Sequence, residues 1–215
     1  DNLREEKMKL GMILVLVCSS AILVACNKGS SDALAISPEK QGVDVPAFQG
    51  NWTSGKCDDW GGGGEYRYSG RQFVTIRGSS MESYVKEYNN GTCSGPERSI
   101  MRFKMKFDIS SDVKDDWYNI DVVATAITQT VYDQDTANLF NTTAYCGFTD
   151  WLVNEEKNIS DSNCMSGIKT NQTIYSMVKI TGDTIQLGEE DKDKIHDGTT
   201  PEKRHNTPGA IFKRE

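Results

Sequence analysis

Met101-Arg102-Phe103-Lys104-Met105-Lys106-Phe107-Asp108-Ile109 alternates apolar and charged side chains without a break. Successive side chains of an extended chain point to opposite faces, so this stretch has one apolar face and one charged face, as an antiparallel strand with one side buried requires. The same reading extends outward. Past the polar Ser110 to Asp116, Trp117 to Thr130 repeats the pattern, with Tyr118, Ile120, Val122, Ala124 and Ala126 on one side. Upstream, Met81 to Tyr88 is a strand that stops at Asn89-Asn90-Gly91, a strong turn sequence. Glu65 to Tyr68 and Gln72 to Arg77 flank Ser69-Gly70 as a hairpin, and Ile174 to Ile180 with Asp183 to Leu187 flank Thr181-Gly182 as another. A short strand is predicted over Phe148 to Val153 and a closing strand over Ala210 to Lys213, whereas Gln134 to Cys146 reads as loop with one helical turn at Thr136 to Phe140. No apolar period of 3.6 residues runs for a useful length after Cys26. Eight to ten strands separated by turns specify an all-β antiparallel sandwich or barrel.

At the other extreme of the chain, Lys7 and Lys9 precede an apolar run from Leu10 to Val24 that ends in Leu23-Val24-Ala25-Cys26. A basic start, an apolar middle and small residues at the end are the parts of a secretory signal. The run falls short of the roughly 20 residues that a membrane span needs. Leu-Val-Ala-Cys also resembles the lipobox of bacterial lipoproteins. That resemblance implies that residues 1–25 are removed, that Cys26 is acylated and becomes the first residue, and that the lipid attaches the protein to a membrane of the bacterial cell envelope. Asn27, where an aspartate would retain the protein in the inner membrane, favours the outer one. Asp1 to Glu6 precede the basic start and have no role in it, so translation is expected to begin at Met8. Residues 26–46 are polar and small and read as a flexible tether; residues 47–215 form the domain.

Removing residues 1–25 of 215 leaves 190, enough for one domain with a sizeable core. The net charge of −7 and the lack of a Lys/Arg cluster argue against a nucleic-acid partner. Of six cysteines, Cys18 leaves with the signal and Cys26 carries lipid. Cys57, Cys93, Cys146 and Cys164 remain, an even number in an exported chain, and read as two disulfides. Three connectivities are open; because each adjacent pair flanks a compact segment, Cys57 with Cys93 and Cys146 with Cys164 is favoured. A structural zinc site would need a Cys-x-x-Cys pair, and none is present.

Phe48-Gln49-Gly50-Asn51-Trp52 at the domain's start resembles the Phe-x-Gly-x-Trp motif that opens the first strand of the lipocalins. The resemblance implies a barrel in which Gly50 lets the backbone pass close beneath and Trp52 plugs the closed end, covered by an arginine from near the last strand. Arg204 and Arg214 are both candidates for that cover. Thr149-Asp150-Trp151 is similar to the family's second motif, Thr-Asp-Tyr, with tryptophan in place of tyrosine. What the resemblance implies for function is a small apolar or amphipathic ligand bound inside the barrel.

The residues offer little for catalysis. His196 and His205 are the only histidines, both in a charged loop from Glu189 to Pro208, and no Gly-x-Ser-x-Gly or His-Glu-x-x-His occurs. Both read as solvated. Glu189, Glu190, Asp191, Asp193 and Asp197 crowd carboxylates together, but His196 stands where a calcium loop needs glycine, so no metal is assigned. Gly61 to Gly64 lacks phosphate-loop spacing. Tyr66, Tyr68, Tyr84, Tyr88, Trp60 and Trp117 read as core or cross-strand aromatics. Five Asn-x-Ser/Thr sequences are loop composition in a bacterial protein. The expectation is a non-enzymatic, lipid-anchored protein without cofactor. It binds a small ligand in its interior or, alternatively, acts as an adhesin or inhibitor through its barrel loops; an open cavity of several hundred Å³ favours the first, a filled interior with an exposed aromatic patch the second.

Overall fold

The computed structural model describes residues 46–59, 69–165 and 169–215. The signal, the lipobox with Cys26 and the tether up to residue 45 lie outside the described residues, as do Trp60, Gly61 to Gly64, Glu65, Tyr66 and Tyr68. The elements in chain order are β1 (Gly50–Thr53), β2 (Asp58–Asp59), β3 (Ser69–Arg77), β4 (Ser80–Tyr88), β5 (Glu97–Lys114), β6 (Trp117–Val131), α1 (Gln134–Thr143), β7 (Glu156–Asn158), β8 (Thr173–Thr181), β9 (Thr184–Glu189) and β10 (Thr207–Arg214).

The stretch from Met101 to Ile109 lies within β5 and keeps its alternation. Met101, Met105 and Ile109 are buried, while Arg102, Lys104 and Lys106 stand on the opposite face. β6 alternates in the same way until a bulge. Lys104 pairs with Ala126 but Met105 pairs with Ala124, so Thr125 is an extra residue, its hydroxyl donating to the Lys104 carbonyl at 2.9 Å. The extra residue reverses the facing beyond it. Ala126, which simple alternation puts inside, is only partly buried, and Ile127 is fully buried in its place.

Eight antiparallel strands close into a ring in the order β1-β3-β4-β5-β6-β8-β9-β10, with β1 pairing both β3 and β10. It is an uneven barrel. β5 runs for 18 residues and β6 for 15, β1 for only 4, and β6 pairs with β8 only over Trp117 to Val123. Above that, β6 pairs with β7 at Thr128 to Thr130. Closure leaves the ring itself without an edge strand, which a sheet must otherwise protect. β3–β4, β5–β6 and β8–β9 are joined by tight turns at residues 78–79, 115–116 and 182–183, all at one end. Asp115 and Asp116 adopt left-handed backbone there, the conformation that two-residue hairpins need. The longer connections leave the other end, after Thr53, Tyr88, Val131 and Glu189; of them residues 54–59, 89–96, 132–165, 169–172 and 190–206 are described.

Four local expectations are corrected. Ser69-Gly70 is no turn but the start of β3, whose partner across residues 78–79 is β4. The polar Ser110 to Lys114 continues β5, because β6 offers it a ladder whatever its polarity. Phe148 to Val153 is not a strand; Val153 makes only an isolated bridge to Val131. Gln134 to Thr143 is a ten-residue helix, not a loop. Its sequence signal was a cap: the Asp133 carboxylate accepts from the Thr136 N–H at 2.7 Å and from the Thr136 hydroxyl at 2.7 Å. Apolar periodicity missed it because only Thr136, Ala137 and Phe140 are buried.

Candidate functional site

The hairpin end is plugged from below. The 3-10 turn Pro46–Phe48 leads into β1, Phe48 meets Tyr118 edge to face at 5.6 Å, and Trp52 is fully buried with its indole N–H donating to the Phe48 carbonyl at 3.1 Å. The arginine that covers Trp52 is Arg214. Its guanidinium lies 4.1 Å from the ring centroid and donates to the carbonyls of Gln49 at 2.7 Å and Ala47 at 2.9 Å. Gly50 makes room for it: at φ +146° a Cβ there would sit 2.6 Å from Arg214 Nη1. Arg204 does something else, donating to the carbonyls of Ile120 at 2.8 Å and Ser176 at 2.7 Å and pairing with Asp121 at 2.7 Å, so it pins the segment 190–206 to the wall.

The connection end is held covalently. Cys57–Cys93 ties the β1–β3 connection to the β4–β5 connection, with Cα atoms 5.6 Å apart, and Cys146–Cys164 closes the β6–β8 connection on itself at 4.8 Å. This is the favoured connectivity. Beside the second bridge, Phe140 stacks on Tyr145 at 4.0 Å and meets Trp151 edge to face at 5.3 Å. Trp151 is buried, its backbone N–H and carbonyl both held by the Asn141 amide, while Asp150 pairs with Lys157 at 2.9 Å, which holds the Asp150 carboxyl below its usual range. Of Thr149-Asp150-Trp151, Trp151 is thus the member of a small aromatic cluster with Phe140, Tyr145 and Phe148. On the same end two large apolar side chains stand in solvent: Leu152 at 60% exposure and Ile195 at 61%.

His205 corrects the reading of both histidines as solvated. It is 3% exposed, and its Nδ1 lies 3.2 Å from the Ser176 hydroxyl. Burial pushes its imidazole below the usual range, opposed by the backbone carbonyls of Asp197 and Gly188 and by the Asp197 charge. Ser176 donates to the Gly188 carbonyl at 3.2 Å and is itself buried, and the Gly198 backbone seals the imidazole from above. The pair has the spacing of a base and nucleophile, and both side chains are buried at 3% exposure. His196 pairs with Asp191 at 2.7 Å, which lowers that carboxyl. Among the described residues no three His, Cys, Asp or Glu side chains are grouped to hold a metal.

The inner face of the ring is packed. Across one layer Trp52, Val74, Ser83, Phe103 and Ile127 are neighbours in register, and Met81, Met101 and Met105 fill the layers on either side. Among the described residues, two groups in it have no hydrogen-bond partner: both amide atoms of the fully buried Gln129, and the hydroxyl of Ser83. A sizeable recess lies on the outside. It measures about 610 Å³ over the outer face of β3, β4 and β5, and its lining includes Arg77, Lys86, Arg102, Lys104 and Lys106 against one carboxylate, Glu82. The β5 residues among these are the charged half of the alternation that defined the strand.

Compared with known proteins, the chain matches no family model and no curated protein sequence.

Proposed function

We propose that this protein is a non-enzymatic, lipid-anchored component of a bacterial cell envelope that contacts a partner protein through the connection end of its barrel. One observation carries the reading: the inner face of the ring is packed, while the opposite end from the plug presents Leu152, on the connection closed by Cys146–Cys164, and Ile195, on the segment pinned by Arg204, both exposed. Exposed apolar side chains on connections braced by a rigid scaffold are the usual make-up of an interaction surface. Acylation at Cys26 supplies the membrane attachment, and residues 27–46 the reach. Photo-crosslinkers placed at Leu152 and Ile195 of the full chain in intact envelopes are expected to capture one discrete partner, and one placed at Ile211, exposed on β10, is not. Equal labelling from all three positions overturns the reading. Radiolabelled palmitate is expected to enter the chain and to be lost with Cys26→Ala.

A second reading, a small apolar or amphipathic ligand in the interior, is favoured by the partnerless Gln129 amide and Ser83 hydroxyl. A buried polar atom left unpaired costs about 1–3 kcal/mol, which a ligand or a water would relieve. Methionines are unbranched and yield readily, so Met81, Met101 and Met105 form the part of the filling that a ligand can displace. Native mass spectrometry of the intact chain decides it: a retained small molecule lost on Gln129→Leu supports the second reading, and a bare protein mass removes it.

A further inference from the structure

We infer that the outer recess over β3, β4 and β5 is a binding site for an acidic glycan, a sugar chain bearing carboxylate or sulfate groups. Five cationic side chains and one carboxylate line the recess, and three further carboxylates lie close by: Glu97 and Glu156 on Lys86 and Lys104, and Glu215, whose charge acts on Tyr84. What attracts an anion is therefore not the number of cations but the ones among them that no carboxylate neutralises. Three of the cations are already paired, Lys86 with Glu97 at 2.6 Å, Arg102 with Glu82 at 3.5 Å and Lys104 with Glu156 at 2.9 Å. Arg77 is held by neutral groups, the Ile76 carbonyl and the Asn51 amide oxygen, and among the described residues neither it nor Lys106 has a carboxylate within ion-pair distance. These two exposed cations are the ones with charge to spare, and they stand on either side of β4, where Ser80 pairs with both Arg77 and Lys106.

The form of the site selects among anions. On β5, Arg102, Lys104 and Lys106 follow one another at two-residue intervals, about 7 Å apart along the strand, which suits charges repeated along a polymer and not a single ion. A peptide cannot add here as a strand, because β4 is hydrogen-bonded on both sides, to β3 and β5, and β5 to β4 and β6. A recess of this volume lies within the roughly 300–1,000 Å³ usual for small-molecule sites and is concave, so a flat bilayer surface does not enter it. The lining also includes the Tyr84 ring, which stacks one face on Phe73 at 5.1 Å, the Ile100 side chain and the hydroxyls of Thr75 and Thr125. An aromatic face beside hydroxyl groups matches a sugar ring, which carries C–H faces and hydroxyls together.

The test is binding of the full chain, in detergent, to polygalacturonate and to dextran sulfate, with neutral dextran and polyglutamate as comparisons. Binding to at least one acidic glycan is expected at low salt, weakening as ionic strength rises, with none to neutral dextran. Lys106→Glu combined with Arg77→Glu is expected to lower affinity about tenfold or more, since rim charges act on both encounter and hold. The charge-neutral Lys106→Gln is expected to give a smaller loss in the same direction and guards against misfolding of the double variant, with thermal melting confirming that each is folded. Leu152→Ser leaves glycan binding unchanged, which separates this site from the connection end. The inference is overturned if neither acidic glycan binds, if the folded charge-reversal variant binds as the parent does, or if polyglutamate binds as tightly as the glycans.

Discussion

The two ends of the ring are closed by different means. The plugged end uses contiguous sequence: Phe48, Gly50 and Trp52 lie within five residues, and a single distant side chain, Arg214, locks them through one ring face and two carbonyls. The connection end relies on residues distant in sequence, joined by two disulfides, the Arg204 clamp and the buried His205, with the Asp133 cap of α1 as a local addition. Short turns leave little backbone to order, so side-chain packing suffices at the first end. Long connections expose many backbone groups and carry a large ordering cost, and the second end meets it by restricting the unfolded chain and by individual polar anchors.

The sharpest way to break the comparison is at Trp52. Replacing this fully buried indole by alanine is expected to cost about 3–5 kcal/mol in chemical denaturation, even with both disulfides intact. A loss under about 1 kcal/mol would mean that the plug is not what holds the ring closed. The disulfides come next. With sequence separations of 36 and 18, removal of Cys57–Cys93 is expected to cost about 4 kcal/mol and removal of Cys146–Cys164 about 3 kcal/mol. Hydrogen exchange should then quicken at residues 54–59, 89–96 or 132–165 and leave the hairpin turns as they were; faster exchange at residues 78–79 and 115–116 would show that the ends are coupled.

Arg214→Ala is expected to cost about 1–2 kcal/mol by removing the cation from the tryptophan face and two donors from the carbonyls of Ala47 and Gln49. Gly50→Ala should act through the same contact, because its Cβ displaces the guanidinium. If the two losses simply add in the double variant, the glycine and the arginine are not one device. The smallest effect belongs to acid. Burial lowers the His205 pKa below 6.5, so in acid the unfolded chain takes up a proton before the folded one does. Stability from this residue is complete above pH 6.5 and declines as the pH falls through the folded-state value. Melting temperatures measured between pH 7 and pH 5 should fall less steeply for His205→Gln than for the parent; identical slopes would place the acid response elsewhere.

Much of the wall was legible because alternation is a local property. Met101 to Ile109, Met81 to Tyr88 and Ile174 to Leu187 show their inner faces in the residue order, and the favoured disulfides followed from which cysteines bracket compact segments. The bulge at Thr125 was not legible. It depends on the ladder between β5 and β6, and nothing in Ala124-Thr125-Ala126 announces it. Helix α1 escaped for a related reason: its stability comes from the Asp133 cap and from the Phe140 contacts with Tyr145 and Trp151, not from a repeated apolar face. His205 looked solvated among charged neighbours, and only the return of its segment across Tyr175 buries it, with the His205 N–H donating to the Tyr175 carbonyl at 3.1 Å. The outer recess was half visible. Arg102, Lys104 and Lys106 read as the solvent face of a strand, but Arg77 and Lys86 join them only through cross-strand register.

By itself the chain order determined the class of fold, the strand faces up to the bulge at Thr125 and which four cysteines were left to pair, because each depends on period, spacing or residue chemistry within reach along the backbone, while the plug at Phe48, Gly50 and Trp52 came from a motif resemblance. The tertiary structure alone decided that Arg214 and not Arg204 covers Trp52, that the ring closes through β1, that its inner face is packed and that five cations share one outer recess. Those outcomes turn on which segments meet after folding, and contact between residues 165 positions apart, as between Gln49 and Arg214, leaves no trace in local sequence.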